Sequence, residues 1–339
     1  DLERESIPAR AVVSRYIGDP LLREMLFCPL MYYGSAREGD MDLEQFVTLW
    51  KAIFEQGFGR PRAGVRAIIR LLLDRYRALG GERRMKSAVR RIHHDGHRAR
   101  AVELESGELL RAATIISTVG RAETEVLCGS EESAPEVKKH VGRLSFAETI
   151  SFLRCPPADL GCDETIVFFN DSERFHYEHA RERIDLRSGV VCCPNNYLYP
   201  DGADLPEGIL RVTVQASYPL WAGLPEEEYQ MEKQRWFPRI VESALRFVPG
   251  ATLPAVSAET VFTDMFTPRT IRKFTSHLGG AVYGSPHKLR TGRMRLENLF
   301  LAGTDQGFLG IVGAMLSGIS MANRHVLAGG NNGKEAHGG

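Results

Sequence analysis

The sequence predicts an α/β chain, α+β overall, and three stretches carry that prediction. The first is 298–327. Its apolar run Leu299-Phe300-Leu301-Ala302 has the length of a buried strand, and Gly303 and Gly307 break it. Ile311, Met315, Ile319, Ala322 and Val326 then recur at helical steps of three and four. The second stretch, 65–117, reads as helix, Gly80-Gly81 stop, strand, hairpin and strand. The third, 129–275, is rich in short β-branched and aromatic runs.

Composition bounds the rest. A chain of 339 residues is long enough for two domains, at about 150 residues each. Hydrophobic content of 43% and charged content of 25% are ordinary for a globular protein. Zero net charge argues against a nucleic-acid partner, because phosphate binding rests on clustered Lys and Arg. No apolar run approaches the roughly 18 residues of a membrane span. Six cysteines are scattered, with Cys192 and Cys193 adjacent and no CxxC spacing. His176 and His179 stand three apart without a third ligand, so no metal is expected. The expectation is reduced thiols and a cytoplasmic location, with peripheral membrane contact left open.

Taken in order, residues 1–40 read as helical pieces around Leu21-Leu22 and Met25-Leu26-Phe27. Asp42 and Gln45 resemble a capping box ahead of Leu43, Phe46, Val47, Trp50, Ile53 and Phe54, which share one helical face. Trp50 and Phe54 either pack a core or line an apolar substrate cavity. A Gly/Arg/Pro turn at 57–64 precedes a helix over 65–79, with Ile68, Ile69, Leu72, Leu73 and Tyr76 inward and arginines outward. Strands follow at 86–92 and 113–117, with Val102 and Leu104 alternating with Glu103 and Glu105 between them. Further strands are expected at 149–153, 165–169, 189–193 and 209–214. A helix over 226–247 is opened by Pro225 and disturbed by Pro238. The tail GGNNGKEAHGG reads as disordered.

The chemistry centres on 303–314. The turn carries one carboxylate, Asp305, among glycines. A helix N-terminus presents unpaired N–H groups and partial positive charge, which favour an acceptor-rich or anionic ligand. Gly310 and Gly313 would let such a ligand approach the backbone. The residues alone fit either a ligand site or a tightly packed strand–helix unit.

AGTDQGFLGIVGAMLSG resembles the C-terminal flavin-binding motif of the FAD-dependent amine oxidase and phytoene desaturase superfamily. TPRTIRKFTSHLGGAVYGSP is similar to the same region of phytoene desaturases and retinol-saturase-like proteins. The likeness extends from about Phe58 onward. It implies a partial glutathione-reductase-like FAD-binding domain with an inserted mixed-sheet substrate domain. Residues 1–56 would be cap, 57–128 and 276–328 FAD-binding, 129–275 substrate domain and 329–339 tail. FAD is the implied cofactor. Asp305 matches the acid that meets its ribityl or pyrophosphate part, and Ile311 and Val312 the residues whose backbone lies against the flavin ring. Val89 matches the adenine-side residue, and Gly303, Thr304, Gly310 and Ala314 complete the motif.

The implied reaction moves a hydride equivalent between a C–C unit of an apolar isoprenoid and flavin N5, in desaturation, saturation or isomerisation. Two alternatives stay open: a flavin amine oxidase, and a non-catalytic binding protein or fragment unable to hold FAD. The chain lacks Gly-x-Gly-x-x-Gly and its ribose-binding acid. The expectation is a longer gene product, with a strand, that motif and a helix encoded upstream. His277 and His287 flank GGAVYGSP and either face substrate or serve structure; Arg269, Arg272 and Lys273 form a basic cluster that meets a polar end of substrate, a membrane headgroup or only solvent, with the solvated reading leading.

Overall fold

The computed structural model describes residues 6–199, 202, 205, 207–307 and 309–328. In chain order its main elements are helices α1 (Ala9–Val13), α2 (Pro20–Gly34), α3 (Leu43–Trp50) and α4 (Val65–Ala78). Strands β1 (Val89–His94), β2 (Ala99–Leu104), β3 (Leu109–Leu110) and β4 (Ile115–Ser117) follow, then helices α5 (Arg121–Leu127) and α6 (Pro135–Lys138). Next come strands β5 (Phe146–Leu153), β6 (Ile166–Asn170), β7 (Ile184–Cys192) and β8 (Gly208–Ala216), and helices α7 (Tyr218–Ala222), α8 (Glu226–Leu245) and α9 (Leu253–Glu259). Strand β9 (Thr260–Phe266), helix α10 (Pro268–Thr275), strand β10 (Leu299–Leu301) and helix α11 (Gly310–Ala322) complete the set. The class is α+β. Contacts divide the chain into a larger unit, Ile7–Arg84 with Leu144–Thr270, and a smaller one, Met85–Arg143 with Ile271–Gly339 and Asp1–Ser6. The boundaries differ from the sequence expectation: 57–84 falls with the larger unit, and 129–143 and 271–275 with the smaller.

The larger unit is built on a five-stranded sheet in the order β6-β7-β8-β5-β9. Every neighbouring pair in it is antiparallel, which corrects the mixed sheet expected from the sequence. Strand alternation sorts its side chains. In β5, Ala147, Thr149, Ser151 and Leu153 are buried while Glu148, Ile150 and Phe152 on the opposite face are partly exposed. The buried face joins Leu210, Val212 and Val214 of β8 with Ile240, Val241 and Ala244 of α8 and Trp221 of α7. Each such side chain contributes roughly 1.5–3 kcal/mol on burial. Helix α8 runs through Pro238 without ending there. Pro238 sits on the exposed side of the helix, where water can take the carbonyl it leaves unpaired.

The Asp42 side chain accepts from Glu44 N at the start of α3, and Gln45 donates its amide to the Gly34 carbonyl. Helices α1 and α3 flank an apolar groove of about 340 Å³ lined by Val12, Val13, Tyr16, Phe46, Val47 and Trp50, among others. Phe54 packs on Trp50 with ring centroids 4.8 Å apart. Helix α4 departs from its expected burial. None of its residues is buried, and Ile69, Leu72 and Tyr76 are exposed. Its pattern suffices to make a helix, but burial needs an opposing surface.

The smaller unit holds a three-stranded antiparallel meander, β1-β2-β3, and a parallel pair in which Leu299, Phe300 and Leu301 of β10 face Ile115, Ile116 and Ser117 of β4. Its apolar clusters are small: Ile92, Ala99, Cys128, Leu296 and Leu299 form one, and Ala122, Val137 and Leu278 another. All six cysteines are free thiols. Among the described residues no helix is long and apolar enough to cross a membrane. The glycine-rich tail lies outside the described residues.

Candidate functional site at the 303–314 turn and helix

Strand β10 is wholly buried and delivers the chain to Gly303 (φ 86°). A single turn of 3-10 helix over Thr304–Gln306 and Gly307 (φ 143°) then lead to α11, whose first residue, Gly310, has φ 74°. Such angles cost a non-glycine residue energy, which accounts for the spacing of the glycines. Ser317 of α11, fully buried, reaches back to accept the Gly303 amide at 2.8 Å and locks helix to turn. The buried stripe of α11 is Gly313, Ser317 and Met321. The apolar stripe read from the sequence faces outward instead: Ile311 and Ile319 are exposed, as is Val312. Small residues let α11 approach the strand closely, so the bulky ones are left outside.

The start of α11 carries the features a planar, acceptor-bearing cofactor needs. A Cβ at Gly310 would meet nothing within 4 Å, so the backbone there is open to approach. The N-cap residue, Leu309, makes no side-chain cap, which leaves the first amides of α11 to other partners. Ile311, Val312 and Ala314 are exposed beside them. Gly303 and Thr304 are partly exposed, and Gln306 holds a buried Oε1 with no hydrogen-bond partner among the described residues. These residues fit the flavin end of FAD. Val89, 39% exposed, begins β1 at the edge of its meander.

Asp305, the acid matched to the ribityl or pyrophosphate contact, is hydrogen-bonded within the protein. It is 1% exposed, and both carboxylate oxygens are already engaged. Oδ2 accepts the Arg121 amide at 2.7 Å, capping α5 from a distance, and Oδ1 accepts the Ser285 amide at 2.7 Å. Lys288 Nζ stands 3.6 Å from Oδ1, and the Asp305 carbonyl accepts from Leu289 N. Hydrogen bonds to a charged acceptor contribute about 1.5–3 kcal/mol each. Asp305 is therefore the joint of three segments: the start of α5, the 284–289 loop and the 303–307 turn. Gly284 (φ 64°) belongs to this joint, because a Cβ there would collide with Asp305 Oδ1.

Other titratable groups gather round the joint. Glu123 accepts the Leu278 amide at 2.5 Å, and burial pushes its carboxyl up from the ordinary range. His277, buried, uses Nδ1 on the Ala281 carbonyl at 2.8 Å, a structural bond. His287 is exposed and sets its ring edge-on to His140, centroids 6.0 Å apart. His140 is 7% exposed, and its Nδ1 has no hydrogen-bond partner among the described residues. Burial, with Arg121 and Lys139 beside it, pushes it down to about 4. Sequence reading missed Glu123, His140 and Ser285. The only local signal was the glycine before each of two bonded amides, Gly120 and Gly284.

The remaining sequence candidates lie elsewhere. Arg269 is paired with Glu226 at 2.7 Å and stacked over Tyr229, which corrects its solvated reading. Arg272 lies 3.7 Å from Glu132 and donates to the Ser276 carbonyl. His176 stands 3.9 Å from Glu178 and His179 3.3 Å from Glu38.

No protein-family model matches the chain. It is 24% identical over 335 residues to the chloroplastic prolycopene isomerase of Arabidopsis thaliana, covering 93% of this chain and 53% of that protein. The prolycopene isomerase of Daucus carota is 22% identical over 280 residues, covering 79% and 44%. The chain thus spans about half the length of the curated relatives it matches. Among solved structures, an oxidoreductase from Methanosarcina mazei aligns with a TM-score of 0.60 at 16% identity, covering 94% of this chain and 69% of that one. A putrescine oxidase variant redesigned for cofactor binding gives 0.58 at 14% identity, covering 95% and 68%. By sequence the chain is thus similar to prolycopene isomerases, and by fold to an oxidoreductase and a putrescine oxidase.

Proposed function

We propose that this chain acts as an FAD-dependent oxidoreductase on the carbon–carbon bonds of an apolar isoprenoid, with cis–trans isomerisation of a carotenoid-like polyene as its reaction. The observation that carries the reading is the open, apolar N-terminus of α11, where Gly310 leaves its backbone free for a flat ligand. Gly310, Ile311, Val312 and Ala314 would hold the flavin side, Gly303 and Thr304 the turn beneath it, and Val89 the adenine side. Bound FAD would supply a ring that accepts and returns a hydride. The protein's share is then to hold the ring and to orient a long apolar substrate. In this reading the smaller unit is the FAD-binding part and the larger unit, with its antiparallel sheet, the substrate-binding part. Prolycopene isomerase is the named activity of the relatives that match along most of the chain.

The test supplies the purified protein with FAD, a reductant and prolycopene in detergent micelles, and separates the isomers by chromatography. Accumulation of all-trans product is the expected result. Oxidation of putrescine with no change in the polyene would overturn the isoprenoid reading in favour of an amine oxidase.

A further inference from the structure

The sheet of the larger unit has a second face, turned away from α8. Strand register brings Glu148 opposite Thr213, Ile150 opposite Arg211 and Phe152 opposite Ile209, and on the other side sets Phe152 against Phe262 and Glu148 against Phe266. This is the partly exposed side of β5. Phe262 is 61% exposed, and its ring lies 5.7 Å from that of Phe152. Ile150, Phe152, Ile209, Phe262 and Phe266 thus make an apolar platform with a polar middle. There Arg211 donates Nε and Nη2 to Glu148 Oε1 at 3.2 and 2.6 Å, and Thr213 donates to Oε2 at 2.9 Å.

An ion pair drawn out of water contributes little net stability, because desolvation offsets the attraction. What this pair does is cancel charge: one guanidinium meets one carboxylate. The neighbouring charges are engaged elsewhere. Asp264 lies 3.8 Å from Lys233, and Arg60 donates to the Tyr199 hydroxyl at 3.0 Å. Cys192, opposite Arg211 on β7, is neutral, because burial pushes its thiol up. The platform therefore carries no net charge, which matches an uncharged occupant. Either member of the pair alone would be a bare charge, and an apolar chain laid over it would strip its water at a high cost. Paired, the two present a neutral, hydrogen-bonded surface that such a chain can cover. From Glu148 to Phe152 the platform runs about 13 Å along β5, at roughly 3.3 Å per residue.

We propose that Glu148 and Arg211 are specificity-determining residues, whose pairing neutralises this face for an uncharged polyene and leaves a charged end group without a partner. The inference rests on reading the larger unit as the substrate-binding part, and it adds which face holds the polyene and what selects it.

The probes are β-carotene and all-trans-retinoic acid in detergent micelles, each titrated against the full chain and followed by quenching of tryptophan fluorescence. Glu148→Gln leaves Arg211 charged and alone. It should weaken β-carotene about tenfold and tighten retinoic acid by a similar factor. Arg211→Gln leaves Glu148 charged and alone, and should weaken both ligands about tenfold. The double variant Glu148→Gln/Arg211→Gln is neutral again and should bring β-carotene back to within about twofold of the parent. A pair that only supported the sheet would give neither this recovery nor opposite responses of the two ligands to Glu148→Gln. Equal β-carotene affinity in the parent and all three variants, or a double variant as weak as the singles, overturns the inference while the proposed function stands. The expected pattern without isomerisation of prolycopene overturns the proposed function and leaves the inference standing. No binding of β-carotene by the unaltered protein overturns both.

Discussion

The two units are held together by different forces. In the larger, long strands give one continuous buried face, and Val212, Trp221, Ile240 and Ala244 are each wholly buried against it. In the smaller, the parallel strands are three residues long and the apolar clusters are small. There a buried carboxylate joins the segments that apolar packing does not: Asp305 takes amides from two of them and belongs to the third. Short elements bury too little area to fix their neighbours, whereas two charge-assisted hydrogen bonds fix both distance and direction. Such a joint demands close backbone approach, hence glycine at 284, and tolerates exposed bulky residues on α11 that an apolar core would have absorbed.

Breaking each unit at its own joint gives the largest effects. Trp221→Ala should cost the larger unit about 3–5 kcal/mol, measured by urea unfolding, as expected for a fully buried aromatic. Asp305→Ala should cost the smaller unit about 3 kcal/mol or more, because two amides lose a charged acceptor. Limited proteolysis without flavin distinguishes the two, with new cleavage at 85–143 only in the Asp305 variant. If flavin-free Asp305→Ala is as stable as the parent and only flavin affinity falls, Asp305 is a cofactor ligand and not a joint.

Gly284→Ala should destabilise by about 2–3 kcal/mol, from a positive φ and a clash with Asp305 together. Next comes pH. His140 has a folded pKa of about 4, below its unfolded value, so the folded state resists its proton. Its contribution is complete above about pH 6.5 and is lost as pH falls toward 4, at up to about 1.4 kcal/mol per unit. Glu123, whose pKa is raised, works with the opposite sign, so the comparison is the parent against His140→Gln in thermal melts at pH 7, 6 and 5. An equal slope in both would remove His140 from the account. The smallest effect belongs to Gly310→Ala. With nothing within 4 Å of the added Cβ, only the backbone angle counts, at about 1 kcal/mol. Flavin binding, followed by absorbance, should suffer more than stability, and the reverse result would show that position 310 serves the fold alone.

Much of the fold was legible because its signals are local. The strand, glycine turn and helix of 298–327 came from an apolar run, spaced glycines and a helical period, all within one stretch. Strands β5, β6 and β8 lie within a few residues of where composition put them, and β7 begins five residues earlier. Strand β9, which supplies Phe262 to the exposed sheet face, went unread. The partners of Asp305 could not be read, since Arg121 is 184 residues away and Ser285 is 20. The Glu148–Arg211 pair is separated by 63 residues and by a strand order that no local pattern contains.

By itself, then, the sequence determined the class of fold, the kinds of element and the strand, glycine turn and helix of 298–327, because period, glycine placement and β-branching act within a few residues. Tertiary structure alone decided which face of α11 is buried, that α4 buries none, that the sheet is antiparallel and that Asp305 is engaged within the protein. The reason is physical: propensity sets whether a segment forms a helix or strand, whereas burial, pairing and the fate of a charge depend on surfaces brought together from distant parts of the chain.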